Sequence, residues 1–236
     1  MKYPVLIPAA GVGSRFGASI PKQYAQIAHA PVLQHTIDLF TQNPRIGQIA
    51  VIISPEDEWY DNCIKQPAQC NVYRVGGSSR AESVANGLAT LLQQQKISPN
   101  DTILVHDAAR CCLPQAALNR LLDALPQCPD GAILAIPVAD TLKSQDDNQR
   151  IVHTVPRAGL WQAQTPQAFV ASSLHRALQT ADLEHITDEA SAMERLGFAP
   201  QLVEGDNRNL KLTRPDDAAW AAFLLQQAQL LSLIHI

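Results

Sequence analysis

The sequence lacks the features that mark membrane proteins, nucleic-acid-binding proteins and disulfide-rich secreted proteins. It contains no apolar run near the roughly 20 residues of a membrane span. It also has no basic cluster interleaved with aromatic residues, and its net charge is −4, which disfavours a large nucleic acid as a partner. We therefore expect a protein that binds neither nucleic acid nor membrane.

Cysteine usage points the same way. The five cysteines are odd in number and contain no Cys-x-x-Cys pair, which argues against a disulfide framework and against a zinc site. The N-terminus enters an apolar run at once rather than a signal peptide. These features favour a cytoplasmic protein with reduced thiols.

Two common nucleotide-binding fingerprints are also missing. No Gly-Lys-Ser or Gly-Lys-Thr of a P-loop occurs in the chain. A dinucleotide-binding loop requires a third small residue after its first two glycines, and Phe16 stands at that position. Both absences weaken the two most familiar explanations for a glycine-rich loop.

A glycine-rich segment nevertheless follows the first apolar run, Tyr3–Ile7. Gly11 and Gly13 lack a Cβ, which permits positive φ and lets backbone N–H groups approach phosphate oxygens. Arg15 and Lys22 add a planar guanidinium and a compact ammonium to the same loop. The two cations favour polyphosphate binding, although a glycine pair alone is equally typical of an ordinary β-turn-α connection.

Short apolar runs alternate with amphipathic stretches, which is typical of an α/β fold. Strands are predicted at Val5–Pro8, Ile49–Ile53, Val72–Val75, Ile103–His106 and Ala132–Pro137. Helices are predicted at Val32–Gln42, Ser79–Gln95, Gln115–Leu125, Ala171–Ala181, Glu189–Leu196 and Asp216–Gln229. This order indicates one domain, residues 1–236, with a mostly parallel sheet flanked by helices and a ligand site beyond the carboxyl ends of the strands.

Residues 139–156 interrupt this alternation. The segment is polar and rich in turn residues, and it is flanked by Thr141–Lys143 and Ile151–Thr154, which predicts a projecting two-stranded hairpin. Because an isolated hairpin is only marginally stable in water, we expect it to dock, most simply on a second subunit. A loose surface excursion fits the pattern equally well.

A second polar cluster follows the predicted strand that ends at His106. Asp107 is the best-placed ligand for the Mg²⁺ that accompanies a nucleoside triphosphate. Ala108 and Ala109 leave room for a substrate, and Arg110 is placed to pair with a second phosphate. A helix N-cap followed by a surface arginine is the plain alternative. His106 has no partner in the sequence and is expected to pack or cap.

Three other positions carry further polar side chains. Ser78 or Ser79 is predicted to cap a helix, with Glu82 completing a capping box behind Ser79, and recognition of a nucleobase by this turn stays open beside that interpretation. Asp188 is predicted to start another helix. Lys211 lies in what looks like an apolar strand, where a buried ammonium needs an anion.

Together these segments resemble one enzyme family. In chain order they are Ala9-Ala10-Gly11-x-Gly13-x-Arg15, Pro21-Lys22-Gln23-Tyr24, Gly76-Gly77 with Arg80 and Ser83, His106-Asp107-Ala108-Ala109-Arg110, Asp140-Thr141-x-Lys143, Gln164-Thr165-Pro166-Gln167-x-Phe169, Thr187-Asp188-Glu189-Ala190 and Lys211-x-Thr213. They resemble the 2-C-methyl-D-erythritol 4-phosphate cytidylyltransferases of non-mevalonate isoprenoid synthesis, from about Tyr3 to Leu224. Cys111 and Ser78 depart from the family pattern, and Ser78 leaves the base selectivity less certain.

The resemblance implies a Rossmann-like nucleotidyltransferase fold and a homodimer in which the hairpin arm of one subunit completes the active site of the other. It implies a reaction of CTP with 2-C-methyl-D-erythritol 4-phosphate that requires Mg²⁺. A related cytidylyltransferase acting on ribitol 5-phosphate, or on another sugar phosphate, is the nearer alternative. A non-catalytic nucleotide-binding module or an NAD-linked oxidoreductase is the more distant one.

The resemblance also implies roles for individual residues. Catalysis would fall to Arg15, Lys22 and Lys211, and the metal to Asp107. The nucleotide would be bound by Ala9, Ala10, Gly11, Gly13, Gly77 and Ser83. The substrate phosphate would be bound by Arg110, Thr165 and Thr187, together with Thr141 and Arg157 from the arm of the partner.

Overall fold

The computed structural model describes residues 2–11 and 20–234, and only the backbone of Gln229 and of residues 231–234. The strands in these ranges are β1 (Tyr3–Pro8), β2 (Gln26–Ile27), β3 (Ala30–Pro31), β4 (Ile46–Ile52), β5 (Cys70–Tyr73), β6 (Thr102–Val105), β7 (Ala132–Pro137), β8 (Leu142–Gln145), β9 (Ile151–Val155), β10 (Trp161–Val170) and β11 (Gln201–Glu204). The helices are α1 (Val32–Thr41), α2 (Tyr60–Cys63), α3 (Arg80–Gln93), α4 (Gln115–Ala124), α5 (Ala171–Thr180), α6 (Glu189–Arg195) and α7 (Asp217–Ile234).

The central sheet has the strand order β11-β7-β10-β6-β1-β4-β5. β1 pairs in parallel with β4 and β6, β4 with β5, and β7 with β11, whereas β10 runs antiparallel to both of its neighbours. The predicted α/β fold with a mostly parallel sheet is therefore confirmed. Because β1, β4, β5 and β6 point the same way, the loops that follow them meet at one edge of the sheet.

Helices cover both faces of this sheet. Successive side chains of a strand point to opposite faces, so Val5 and Ile7 pack with α1 and α4, whereas Leu6 packs with α3, α5 and α6. All three side chains are fully buried. The apolar run that precedes the glycine-rich segment is therefore continuous because it is covered on both sides.

The last helix, α7, packs beside the loops rather than on the sheet. Ala221 of α7 is buried with Ile27 and Leu212 in a separate small cluster. Trp220 and Phe223 on the same helix are exposed by 67% and 51%. Across the described ranges, no helix combines the length and the apolar character that a membrane crossing requires.

Two strands of the central sheet, β10 and β11, are missing from the sequence-based prediction. β10 contains Pro166 between polar residues, a pattern that usually demotes a segment to a turn or an edge strand. The ladder with β7 accommodates this segment by a register shift between Ala163 and Gln167. β11 has four residues, too few to show a clear period. The predicted strand Val72–Val75 lies earlier, at Cys70–Tyr73.

Residues 139–156 contain the two short strands β8 and β9, which pair antiparallel with Leu142 opposite Val155 and Lys143 opposite Thr154. Two apolar side chains of this hairpin are open to solvent: Ile151 is exposed by 68% and Val152 by 62%. Its docking on a second subunit stays a prediction.

Candidate active site

A cleft with a volume of about 220 Å³ opens beyond the carboxyl ends of β1, β5 and β6. Among its walls are many of the predicted site residues, namely Ala9, Ala10, Gly11, Lys22, Gly77, Ser83, Asp107 and Lys211. They come from separate loops that are far apart in the chain, and the sheet brings them together. Gly13 and Arg15 lie outside the described residues.

At this edge of the sheet, Gly76 allows the backbone after β5 to pack closely against the ends of β1 and β4. Ala9 N–H donates to Ile52 O at 2.7 Å, and Gly76 N–H donates to Ile53 O at 2.9 Å. A Cβ at Gly76 would collide with Ala10 Cβ and with Ile53 O, so only glycine fits between these strand ends. Gly11 does not adopt positive φ, which corrects the expectation for it, and no described atom lies within 4 Å of where its Cβ would be.

The turn before α3 supplies a second wall. Ser79 caps α3 by accepting from Glu82 N–H at 3.1 Å, as predicted. The Glu82 carboxylate accepts from both the backbone and the hydroxyl of Ser78 at 2.7 Å. Ser83 accepts from Gly77 N–H at 3.1 Å and donates to Ser79 O at 2.8 Å. Ser83 therefore holds Gly77 in place at the cleft.

Asp107 is the charged centre of the cleft. Its side chain is 7% exposed, and Arg80 Nε donates to its Oδ1 at 2.7 Å. Its Oδ2 lies 2.9 Å from Lys211 Nζ and 3.5 Å from Arg110 Nε. Burial alone would raise the pKa of the carboxyl, but the charges of Arg80, Lys211 and Arg110 outweigh burial and hold that pKa well below its usual range. Asp107 is therefore anionic at any physiological pH.

Arg80 was not assigned a role from the sequence, and neither was Glu189. The two terminal nitrogens of Arg80 donate to Glu189, Nη1 to Oε1 at 2.6 Å and Nη2 to Oε2 at 2.9 Å. Glu189 begins α6, is 1% exposed, and lies far from Arg80 in the chain. Both residues stand in segments that resemble the family, but nothing in the sequence indicated that they pair, because Arg80 follows a glycine turn and Glu189 looks like an ordinary helix start.

His106 and Thr165 fix the loop from behind. The antiparallel register that pairs Gln167 with Val105 places Thr165 opposite Asp107. Asp107 N–H donates to Thr165 Oγ1 at 3.0 Å, and Thr165 Oγ1 lies 3.0 Å from His106 Nδ1. Burial lowers the pKa of His106 to about 4, so its ring is neutral. Nε2, 3.0 Å from Arg110 O, must then carry the proton, and Nδ1 accepts from Thr165.

Lys211 lies in an extended loop rather than in a strand, which corrects the sequence-based expectation. The loop is held by Leu212 N–H, which donates to Ala109 O at 2.9 Å, and by Arg110, whose Nη1 donates to Asn209 O at 2.6 Å. The ammonium does have the anion expected for it, Asp107, although the Lys211 side chain is 38% exposed. Lys22 Nζ, 3.5 Å from Leu212 O, reaches the same loop.

Comparison with known proteins identifies the family of this chain. The family model of 2-C-methyl-D-erythritol 4-phosphate cytidylyltransferase (IspD) matches residues 4–227. The chain belongs to this family. The predicted resemblance is therefore confirmed over nearly the whole sequence.

Individual relatives of the cytidylyltransferase family agree. The 2-C-methyl-D-erythritol 4-phosphate cytidylyltransferase of Neisseria meningitidis serogroup A is 53% identical over 224 residues, covering 95% of this chain and 97% of the relative. That of Chromobacterium violaceum is 52% identical over 220 residues, covering 93% and 96%. These names do not favour the alternative of a ribitol 5-phosphate enzyme.

Solved structures of the family share the fold. A crystal structure of a 4-diphosphocytidyl-2C-methyl-D-erythritol synthase superposes with a TM-score of 0.85 at 47% identity, covering 95% of this chain and 98% of that one. The cytidylyltransferase of Thermus thermophilus gives a TM-score of 0.77 at 29% identity, covering 96% and 100%. The nucleotidyltransferase fold expected from the resemblance is confirmed.

The predicted substrate-binding residues of this family member fall into two groups. Arg110 and Thr165 lie directly against Asp107. Thr141, Arg157 and Thr187 are exposed, and none of them is among the described residues that line the cleft of the same chain. For Thr141 and Arg157 this is consistent with action in a partner's cleft, and their roles stay predictions.

Asp107 is the side chain of the cleft that could bind a metal ion. Within residues 2–11 and 20–234, no three Asp, Glu, His or Cys side chains lie close enough to hold a metal by themselves. Asp107 is anionic at physiological pH, and each of its oxygens has more than one acceptor position. Mg²⁺ is commonly bound by one or two carboxylates together with substrate phosphates and water. The site therefore fits a cation that arrives with a triphosphate and does not fit a resident metal centre.

Proposed function

We propose that this chain joins CTP and 2-C-methyl-D-erythritol 4-phosphate to form CDP-methylerythritol and pyrophosphate. The names of its relatives describe a cytidylyltransferase for 2-C-methyl-D-erythritol 4-phosphate. The observation that carries the proposal is a cleft in which Gly11, Lys22, Asp107 and Lys211 meet at the carboxyl edge of the sheet. The family match over residues 4–227 supplies the identity of the substrates.

The reaction is a nucleotidyl transfer between two anions. An oxygen of the polyol phosphate attacks the α-phosphorus of CTP, one new P–O bond forms, and the bond to the β-phosphate oxygen breaks to release pyrophosphate. The attacking phosphate is already ionised near neutral pH, so no general base is needed. The barrier is then dominated by repulsion between the reactants and by charge that develops on the α-phosphate and the leaving group.

The cations of the cleft oppose that repulsion. Lys22 and Lys211 both line the cleft, and Lys211 is held 2.9 Å from Asp107, so its charge is already placed before the substrate arrives. A cation held in place needs little reorganisation during the reaction, which is the main source of electrostatic catalysis. We assign the same role to Arg15.

Backbone and cation-binding groups complete the nucleotide site. The backbone of Ala9, Ala10 and Gly11, with Gly13, would hold the triphosphate, and Gly77 and Ser83 would face the cytosine. Asp107 is the residue that would bind Mg²⁺. When bound, the ion neutralises phosphate charge and orients the triphosphate.

We also propose that the enzyme is a homodimer in which the β8–β9 hairpin arm acts on the partner's cleft. The exposure of Ile151 and Val152 supports this proposal, because an isolated two-stranded hairpin gains little stability of its own. Thr141 and Arg157 flank this arm and would bind the phosphate of the polyol, together with Arg110, Thr165 and Thr187. We place the enzyme in the cytoplasm, where both highly charged substrates are retained.

A pyrophosphate-release assay tests the function. The wild-type protein is incubated with CTP and either 2-C-methyl-D-erythritol 4-phosphate or ribitol 5-phosphate, with Mg²⁺ or with EDTA. We expect rapid release only with the methylerythritol phosphate and Mg²⁺. Faster release with ribitol 5-phosphate, or full activity in EDTA, would overturn the substrate or the metal assignment. Calorimetric titration with CTP and NAD provides a control for binding.

A further inference from the structure

Glu189 is a buried carboxylate that the reaction described above does not use. It is 1% exposed, it is not among the described residues that line the cleft, and both of its oxygens accept from the terminal nitrogens of Arg80. Arg80 itself lines the cleft, and its side chain is 26% exposed. A charged side chain at this depth requires a specific reason, because burying an ion without need is costly.

The contacts of Arg80 suggest the reason. A guanidinium presents five N–H donors in a rigid planar fork, and it prefers to bind a carboxylate through two parallel hydrogen bonds. Glu189 takes both terminal nitrogens of Arg80, which leaves Nε to contact Asp107 Oδ1 at 2.7 Å. Oδ2 of Asp107 then faces Lys211 at 2.9 Å. Without Glu189, the fork of Arg80 is free to take both oxygens of Asp107 or to turn toward bound phosphate.

Glu189 is itself firmly held. Asp188 caps α6 by accepting from Ser191 N–H at 2.9 Å. Gln167 on β10 donates to Asp188 Oδ2 at 2.8 Å and accepts from Ala190 N–H at 2.9 Å. Because Gln167 also lies beside Val105 in the sheet, the first turn of α6 is fixed relative to the strand that carries Asp107.

The charge balance leads to the same conclusion. Arg80, Arg110 and Lys211 are opposed by the two carboxylates of Asp107 and Glu189. Removing the charge of Glu189 adds one positive charge next to the cleft and leaves a partly buried guanidinium with only half of its partners. That guanidinium would seek the nearest remaining anion, which is Asp107 or a nucleotide phosphate.

We propose that Glu189 is a positioning residue that acts through Arg80: by occupying both terminal nitrogens of Arg80, it restricts this side chain to one contact with Asp107 and keeps Oδ2 of Asp107 for Lys211 and the substrate side. This inference rests on the proposed function, and it assigns a role to a residue that never touches the reactants.

The test compares two glutamates of one helix. Glu189→Gln removes the charge at the buried position, and Glu194→Gln makes the same change at an exposed position of α6. We expect Glu189→Gln to lower kcat by about 10- to 100-fold, the usual range for loss of an outer-shell partner. Its Kd for CTP, measured by calorimetry, should be unchanged or lower, because the freed guanidinium can reach phosphate. Glu194→Gln should match the wild type in both measurements.

Arg80 supplies the second part of the test. If Glu189 acts through Arg80, adding Glu189→Gln to Arg80→Gln should lower kcat little further. Arg80→Lys keeps the positive charge but lacks the planar fork, so its kcat should fall as much as that of Glu189→Gln. It replaces Glu189→Gln in the test if thermal unfolding shows that Glu189→Gln is not folded. The inference would be overturned if Glu189→Gln or Arg80→Lys kept the wild-type kcat. It would also be overturned if Glu189→Gln weakened CTP binding by the same factor as it lowered kcat, or if the kcat losses of Glu189→Gln and Arg80→Gln were fully additive in the double variant. Absence of turnover by the wild type would overturn the proposed function as well.

Discussion

The cleft and the β8–β9 hairpin arm are built on opposite principles. In the cleft, Asp107 is buried and forms ion pairs with three cations of the same chain, Arg80, Arg110 and Lys211. In the arm, Ile151 and Val152 are exposed, and the cross-strand side-chain bonds, such as Lys143 Nζ to Thr154 Oγ1 at 2.7 Å, lie at the surface. The arm therefore has little that holds it in place apart from its own ladder.

The contrast separates a region whose charged side chains pair within the chain from a hairpin that leaves Ile151 and Val152 open to solvent. Charges that must oppose phosphate are useful only if they are already oriented, and the network around Asp107 orients them at no cost during the reaction. An exposed hairpin with apolar side chains is typical of a surface that gains its order from a partner. The following predictions test the role of the cleft and the role of the arm separately.

The largest effect is expected from Lys22→Ala. Lys22 lines the cleft, and if its charge acts mainly in the transition state, as we propose, kcat should fall on the order of 10²-fold or more. Lys96→Ala, at an exposed lysine just beyond the end of α3 that is far from the cleft, is the matched control and should keep wild-type kcat. Both variants should unfold at the wild-type temperature. Near-normal turnover by Lys22→Ala would reject its catalytic assignment.

The arm is tested by mixing two defective chains. Arg157→Ala should raise the KM for the polyol phosphate more than the KM for CTP, because we propose that Arg157 binds only the polyol phosphate. If the arm acts on the partner, a mixed dimer of Arg157→Ala and Lys22→Ala contains one intact site. After subunit exchange at equal concentrations, activity at low polyol phosphate should recover to about a quarter of the wild-type value.

Two controls make this experiment decisive. Each variant assayed alone, at the same total protein concentration, sets the baseline. A mixture no more active than the sum of its parts would show that the arm serves its own chain, and equal changes in both KM values would remove Arg157 from the polyol phosphate site. Light scattering of each variant reports whether dimers are present.

The smallest predicted effect concerns pH and stability. The pKa of His106 in the folded chain is about 4, below its ordinary value of 6.5, so the unfolded chain takes up the proton first as pH falls. The free energy of unfolding should therefore decrease between pH 7 and pH 5, by about 2 kcal/mol through His106 alone. Urea unfolding in EDTA measures this, and His106→Asn should show a correspondingly smaller decrease. An equal pH dependence in both proteins would contradict the neutral, buried ring.

Prediction from the sequence succeeded for features that depend on residues within one short segment. The structure agrees with four predictions that depend on local pattern or on simple charge: the strand before Gly11, the cap at Ser79, the helix start at Asp188 and the approach of Lys211 to an anion. β10 was missed because Pro166 and its polar neighbours look like a turn unless the bulge opposite β7 is known.

The residues around Asp107 show the limit more clearly. Ion pairing among Arg80, Asp107 and Glu189 joins the start of α3, the end of β6 and the start of α6. No period or spacing in the sequence links these positions, and in isolation each looks like a helix cap or a surface charge. Their pairing can be inferred only when their burial is known, because an unpaired charge in the interior is energetically costly.

The amino-acid sequence by itself determined the α/β class, because alternation of apolar residues and local turn chemistry act over a few neighbouring positions. Its ordered motifs, through their resemblance to the cytidylyltransferases, also indicated the family and the segments that supply the cleft. Only the tertiary structure decided which cation faces which carboxylate. Electrostatic interactions depend on distance and burial, and the packing of β6 against β10 and of α6 against β10 sets both for Asp107, Arg80 and Glu189.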